Sequence, residues 1–256
     1  MRIVVALLLA CTVAAAASAQ QPAGAKPYAA PRTADGQPDL QAIWQVLNPA
    51  AWNIQDHTGA LGVPAGRGVV EGNEIPYRPD AYAKRQQNFR QRATADPVVK
   101  CRAPGVPRIT YMPFPFQIVQ TPEYVVMVYE YGFHRRFIYT DGSRHPADVP
   151  NLMGDSRGRW EGETLVVDSI NFTDQTWFDH AGNYHSAALH VVERFTRTGP
   201  EHITYEVSIE DPDVFTRPWK MRMPLYRRAE PDAELLEYAC YEHLMYEKGI
   251  SAVTPD

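Results

Sequence analysis

Residues 116–146 read FQIVQTPEYVVMVYEYGFHRRFIYTDGSRHP. The stretch is a run of β-branched and aromatic strand formers, cut where Thr121-Pro122 and Asp141-Gly142 turn the chain. Apolar residues do not recur in it at helical spacing, so it reads as strands. The same character continues beyond it. GRWEGETLVVDSINF (158–172) turns tightly at Glu161-Gly162, and AALHVVERFTR (187–197), HITYEVSIEDP (202–212) and FTRPWKMRMPLYRR (215–228) supply further short strands. Short connections with no helical pattern between them predict an antiparallel meander. A sheet that long curls on itself, so the fold class is mainly β: a barrel-like, lipocalin-like domain.

Working outward, the N-terminal side lacks this pattern. PDLQAIW (38–44) brings Leu40, Ile43 and Trp44 together at helical spacing and reads as a short docked segment. Residues 48–78 mix Gly, Pro and isolated aromatics and should wrap the domain without regular structure. Pro79 followed by Asp80 opens a helix whose apolar face is thin (Tyr82, Phe89 and alanines), which predicts a surface helix. On the other side, AELLEYACYEHLMY (233–246) returns to helical spacing. The expected organisation is a signal peptide at 1–19, an extended arm with a surface helix at 20–107, and the barrel with its C-terminal helix at 108–256.

The opening MRIVVALLLACTVAAAASAQ carries Arg2, a short apolar run and the small residues Ala17-Ser18-Ala19. That layout predicts a secretory signal cleaved after Ala19, hence a periplasmic or secreted protein. Leu8-Leu9-Ala10-Cys11 loosely matches a lipoprotein box, which makes a lipidated Cys11 the lesser alternative. No later run is long and apolar enough for a transmembrane span. Two cysteines remain, Cys101 and Cys240, and an even pair in an exported chain predicts a disulfide. A net charge of −5 without a basic run argues against nucleic acid as a partner. The 14 Tyr, 5 Trp and 9 Phe suit a β-rich core, or a pocket for a hydrophobic or aromatic small molecule. The oligomeric state is left open.

Strand alternation sorts the polar residues by face. In HITYEVSIE, Ile203, Tyr205, Val207 and Ile209 share the buried side. In HVVERF, Glu193 shares a face with Val191 and Phe195; in TLVVDSINF, Asp168 shares one with Val166 and Ile170. Both carboxylates therefore look like polar misfits on apolar faces, to be paired, protonated or wetted by a cavity. One reading makes them catalytic acids lining a pocket. The other makes Glu193 a structural bridge to an inward arginine, Arg136 or Arg217.

Adjacent Arg135 and Arg136 must include one inward guanidinium, able to grip an anion. Arg136, Tyr139 and His145 are the ligand-binding candidates of that segment, with Trp177 and Tyr205 from elsewhere. WFDHAGNYHS (177–186) is a long polar and aromatic link, where Asp179 and His185 would form an acid–base pair at the barrel mouth. His185 and His190 are five apart and point to opposite faces of one continuous strand. A metal site of His185, His190 and Glu193 therefore needs a bulge. His190 falls on the face opposite Glu193. No GxSxG, Walker, GxGxxG or CxxC signature occurs, so no organic cofactor is expected, a divalent metal being the alternative.

The stretches TADGQPDLQAIW, NFRQRATADPVVKCRAPGVPR, IYTDGSRHP, GDSRGRWEGETLVVDSINF, HSAALHVVERF and IEDPDVFTRPW together resemble a family of exported, largely uncharacterised bacterial proteins. The resemblance runs from about residue 33 to the C-terminal helix. It implies export and a shared fold and transfers no catalytic residue; ACYEHLMYE departs from the family pattern after the last cysteine. The functional expectation is a cofactor-independent enzyme of lyase or isomerase type acting on a hydrophobic or aromatic small molecule. Glu193 or Asp168 would be the base, His185 the acid, and Arg136 with Tyr139 the anion holders. The alternatives are a periplasmic binding or carrier protein without chemistry, and a metal enzyme built on His185 and His190.

Overall fold

The computed structural model describes residues 28–60 and 63–247. The signal segment with its Ala19 cleavage point, Cys11 and the first residues of the arm lie outside the described residues. Strands β1 (Ala42–Gln45), β2 (Phe116–Gln120), β3 (Tyr124–Tyr129), β4 (Arg135–Tyr139), β5 (Asp155–Glu161), β6 (Thr164–Ile170), β7 (His190–Gly199), β8 (His202–Glu210) and β9 (Trp219–Arg227) close into a barrel in sequence order. The expected mainly β, barrel-like class is the one observed.

Two features depart from the reading of the sequence. PDLQAIW supplies a strand, not a helical segment: Trp44 lies between Phe116 of β2 and Arg227 of β9, and its ring is fully buried. A four-residue helix would bond little of its own backbone, whereas β2 and β9 each offer an open edge that β1 closes. The barrel thus takes one stave from the segment assigned to the arm. Secondly, the meander is not wholly antiparallel. β4 and β5 run parallel, joined through Ile138–Ser156 and Tyr139–Arg157. Asp141-Gly142 therefore does not close a hairpin; it opens the link 140–154, which carries the chain back across the barrel.

The remaining neighbours are antiparallel. β5 and β6 are joined by a tight turn in which Gly162 has φ 61°, a left-handed conformation that glycine adopts without strain. Alternation sends Phe116, Ile118, Met127, Leu165, Phe195 and Leu225, among others, into the barrel, all essentially inaccessible. Each such side chain contributes on the order of 1.5–3 kcal/mol by leaving water.

Helix α1 (Pro79–Ala95) starts on the expected proline and lies on the surface, burying only Ala81. Helix α2 (Cys240–Glu247) begins at Cys240, which is disulfide-bonded to Cys101, 139 residues earlier in the chain. The bridge holds the C-terminal segment against the region after α1, and the Tyr131–Tyr238 backbone contact holds it against the link between β3 and β4. Among the described residues no helix is long and apolar enough to cross a membrane.

Candidate functional site

The β5–β6 turn sets the register of everything on the adjoining outer wall. Arg157 stands opposite Asp168, and Asp155 opposite Ile170. Because Ser156, Val167, Ser169 and Glu193 point inward, Asp155, Arg157, Asp168 and His190 point outward. His190 lies diagonal to Asp168 on β7 and opposite Glu210 of β8. The link 140–154 then lays His145 over the same patch.

The result is a chain of alternating acids and bases. His145 Nδ1 is 2.6 Å from Asp155 Oδ1, and its Nε2 is 3.1 Å from Asp168 Oδ1. Asp168 Oδ2 is 3.0 Å from His190 Nε2, and His190 Nδ1 is 3.9 Å from Glu210 Oε2. Arg157 fixes Asp155 with both arms of its fork, Nε to Oδ1 at 2.8 Å and Nη2 to Oδ2 at 3.0 Å. The same guanidinium stacks on Tyr139, 4.6 Å from the ring centre, and donates to Ser143 Oγ. His145 meets a carboxylate with each ring nitrogen, so both contacts are donor to acceptor when the ring carries two protons. Asp168 is held below the usual carboxylate range, first by the hydrogen bond from His190, with burial opposing. That same bond raises His190 above the ordinary imidazole value, again against burial. The side chains of Asp168 and His190 are 32% and 37% exposed, so a small molecule can reach both.

The interior cluster is built differently. Arg136 donates to both oxygens of Glu193, with Nη1 at 3.1 Å from Oε1 and Nη2 on Oε2. Tyr205 donates to Glu193 Oε1 at 2.6 Å, while Ser156 and Ser169 accept from Arg136 at 3.0 Å each. Burial opposes the Arg136 charge, yet Glu193 beside it raises its pKa further. All five groups are buried and saturated by one another. Of the two readings of Glu193, this geometry is the bridge to Arg136; Arg217 instead meets Glu74 at the surface.

Several expectations are corrected by the same alternation. Asp168 does not share a face with Glu193: its apolar companions Val166 and Ile170 belong to the outer wall, where Val166 is buried between Arg159 and Arg194. Tyr139 also faces outward, 38% exposed, so it cannot act beside Arg136. Asp179 and His185 do not pair. Asp179 accepts from Ile54 N, Asn183 N and Asn183 Nδ2, and burial raises its pKa despite those bonds. His185 meets Thr176 Oγ1 at 2.7 Å and Ser186 O at 2.9 Å; burial lowers its pKa, so it stays neutral in the core. Trp177 is half-buried, its backbone paired with Tyr184. The trio His185, His190 and Glu193 does not assemble, since Glu193 points into the barrel, His190 out of it, and both nitrogens of His185 are engaged. Among the described residues no three His, Cys, Asp or Glu side chains are placed to hold a metal ion.

The structure thus brings together Asp168, His145, His190 and Tyr139, and leaves Glu193, Arg136 and Tyr205 in the interior. Asp155, Arg157 and Glu210 were missed. Counting back from the Glu161-Gly162 turn would have put Arg157 opposite Asp168 and Asp155 on the same face. No family model matches the chain, and neither a curated protein nor a solved structure matches it.

Proposed function

We propose that the protein is an exported enzyme that moves protons on a small hydrophobic or aromatic molecule, in a reaction of lyase or isomerase type without an organic cofactor. The observation that carries this reading is a single accessible carboxylate, Asp168, with one imidazole on each oxygen and a second carboxylate behind one of those imidazoles. In this reading Asp168, kept ionised by its partners, takes a proton from the substrate. His190, charged over a wider pH range than an ordinary histidine, delivers one. Asp155, clamped by Arg157, orients His145 and fixes the Asp168 rotamer. Export is supported by the leader pattern and by the Cys101–Cys240 disulfide, a bond suited to an oxidising compartment.

The test is deuterium incorporation from D2O into a panel of aromatic and alicyclic ketones, hydroxy ketones and enones, read by mass spectrometry with EDTA present. The wild type should label at least one scaffold, and Asp168→Asn should slow labelling by roughly 10²-fold or more. A loss under tenfold would remove Asp168 as the base. Recovery of a tightly bound compound with no label would replace catalysis by carriage.

A further inference from the structure

A second histidine–carboxylate unit lies apart from the outer-wall site and shares no residue with it. The turn Pro97–Lys100 follows α1 and is capped by Asp96, whose Oδ1 accepts from Val98 N at 3.1 Å. Asp96 is fully buried and bound by the fork of Arg108, Nη1 to Oδ1 at 2.7 Å and Nη2 to Oδ2 at 2.9 Å. His180 joins from the link 177–186, Nδ1 at 2.8 Å from Asp96 Oδ2, while its backbone N donates to Ala51 O at 3.0 Å. Burial pushes the Asp96 carboxyl up, but His180 and Arg108 hold it at about 2, so it is ionised and keeps the Nδ1 proton on His180. In the neutral ring that leaves Nε2 as a lone-pair acceptor, and no hydrogen bond to it is found among the described residues.

This unit forms one end of a cavity of about 130 Å³ whose other walls are Ala51, Trp52, Val98, Val99, Met112 and Pro113. Trp52 meets the His180 ring edge-on at 5.2 Å, and the pair also borders a neighbouring cavity of about 230 Å³. Arg108 lines the smaller cavity, is 3% exposed, and keeps a buried Nε–H without an acceptor. Arg108 and Asp96 cancel in charge, so an ionic ligand gains little. The cavity instead offers one unpartnered ring nitrogen in a largely apolar slot. A hydroxyl group suits it, its O–H directed at His180 Nε2. The volume is close to the ~150 Å³ of an apolar cavity that takes a benzene ring.

We infer that this slot is a binding site for a neutral, single-ring phenol, its hydroxyl donated to His180 and its ring against Trp52 and the Val98–Val99 wall. The inference stands independently of the function proposed for Asp168.

The test is a calorimetric titration of the full, disulfide-intact chain with p-cresol and with toluene, which has the same ring and methyl group without the hydroxyl. p-Cresol should bind one site, with toluene at least tenfold weaker. His180→Phe, which keeps a ring but removes the acceptor, should bring p-cresol down to the toluene level. Val99→Trp, at a position 39% exposed and so tolerant of a larger side chain, should fill the slot and abolish both. Amide NMR spectra establish that each variant is folded. Absence of saturable p-cresol binding, equal affinity for the two probes, or binding unchanged in folded Val99→Trp would each overturn the proposal.

Discussion

Glu193 and Asp168 stand one strand apart, each carboxylate gripped on both oxygens by nitrogen donors, yet they lie on opposite sides of the barrel wall. Inside, Arg136, Tyr205, Ser156 and Ser169 satisfy every polar atom around Glu193, and nothing is left for a substrate. Outside, Asp168 is bound by two imidazoles, of which His190 is raised above its ordinary value by that contact, and water reaches it. The difference teaches that partner chemistry and access, rather than an unexpected carboxylate in a strand, separate a structural bridge from a working site. Arginine stays charged at any physiological pH, so it locks its partner; histidine does not.

The comparison breaks most visibly at its inner member. Glu193→Ala leaves Arg136 charged and unpaired in the core, and should cost about 3–5 kcal/mol in denaturant unfolding. A loss below about 1 kcal/mol would mean that the interior is wetter than its geometry indicates. The next effect concerns the frame that both clusters share. Cys240→Ser frees the C-terminal helix from Cys101 and should cost roughly 2–4 kcal/mol on the chain-entropy view. An unchanged midpoint would show that the contacts of Tyr131 with Tyr238 hold that helix unaided.

The outer member should respond least, and in a pH-dependent way. His190 has a raised pKa in the folded state, so its contribution to stability is complete below the unfolded value of about 6.5 and fades as pH rises through the folded one. Asp168 has a lowered pKa, so its contribution is present above about 3.9 and is lost as pH falls through its folded value. The two overlap between about pH 4 and 6.5. Asp168→Asn should therefore destabilise most near pH 5 and progressively less above pH 7, by no more than about 1 kcal/mol for groups this exposed. A destabilisation that grows with pH would contradict the assignment.

How much of this was legible in the sequence depended on whether the signal was local. Alternation in residues 202–210 and 190–195 correctly placed Tyr205 and Glu193 inside, and the adjacent arginines correctly yielded one inward guanidinium. The same rule misassigned Asp168, because Val166 is buried on the outer wall, between Arg159 and Arg194 of the neighbouring strands. Both faces of β6 are buried over Thr164–Val167, and alternation cannot tell two buried faces apart. β1 was missed because four residues hold no measurable period, and its partners lie at opposite ends of the barrel sequence. His145 reaches the site through the parallel β4–β5 crossing, a pairing that Asp141-Gly142, read as a hairpin turn, concealed. The unit of Asp96, Arg108 and His180 draws on segments 84 residues apart and had no local signature at all.

The contrast between the two clusters rests on His190 answering to Asp168 outside the barrel wall. The most direct measurement follows the imidazole nitrogen resonances of His190 by NMR across pH 4–9, in the wild type, Asp168→Asn and Tyr205→Phe, the last removing only an interior hydroxyl. His190 should titrate above its ordinary value in the wild type and in Tyr205→Phe, and fall back toward that value in Asp168→Asn. A His190 that titrates at or below the ordinary value in the wild type, or that is indifferent to Asp168→Asn, would contradict it.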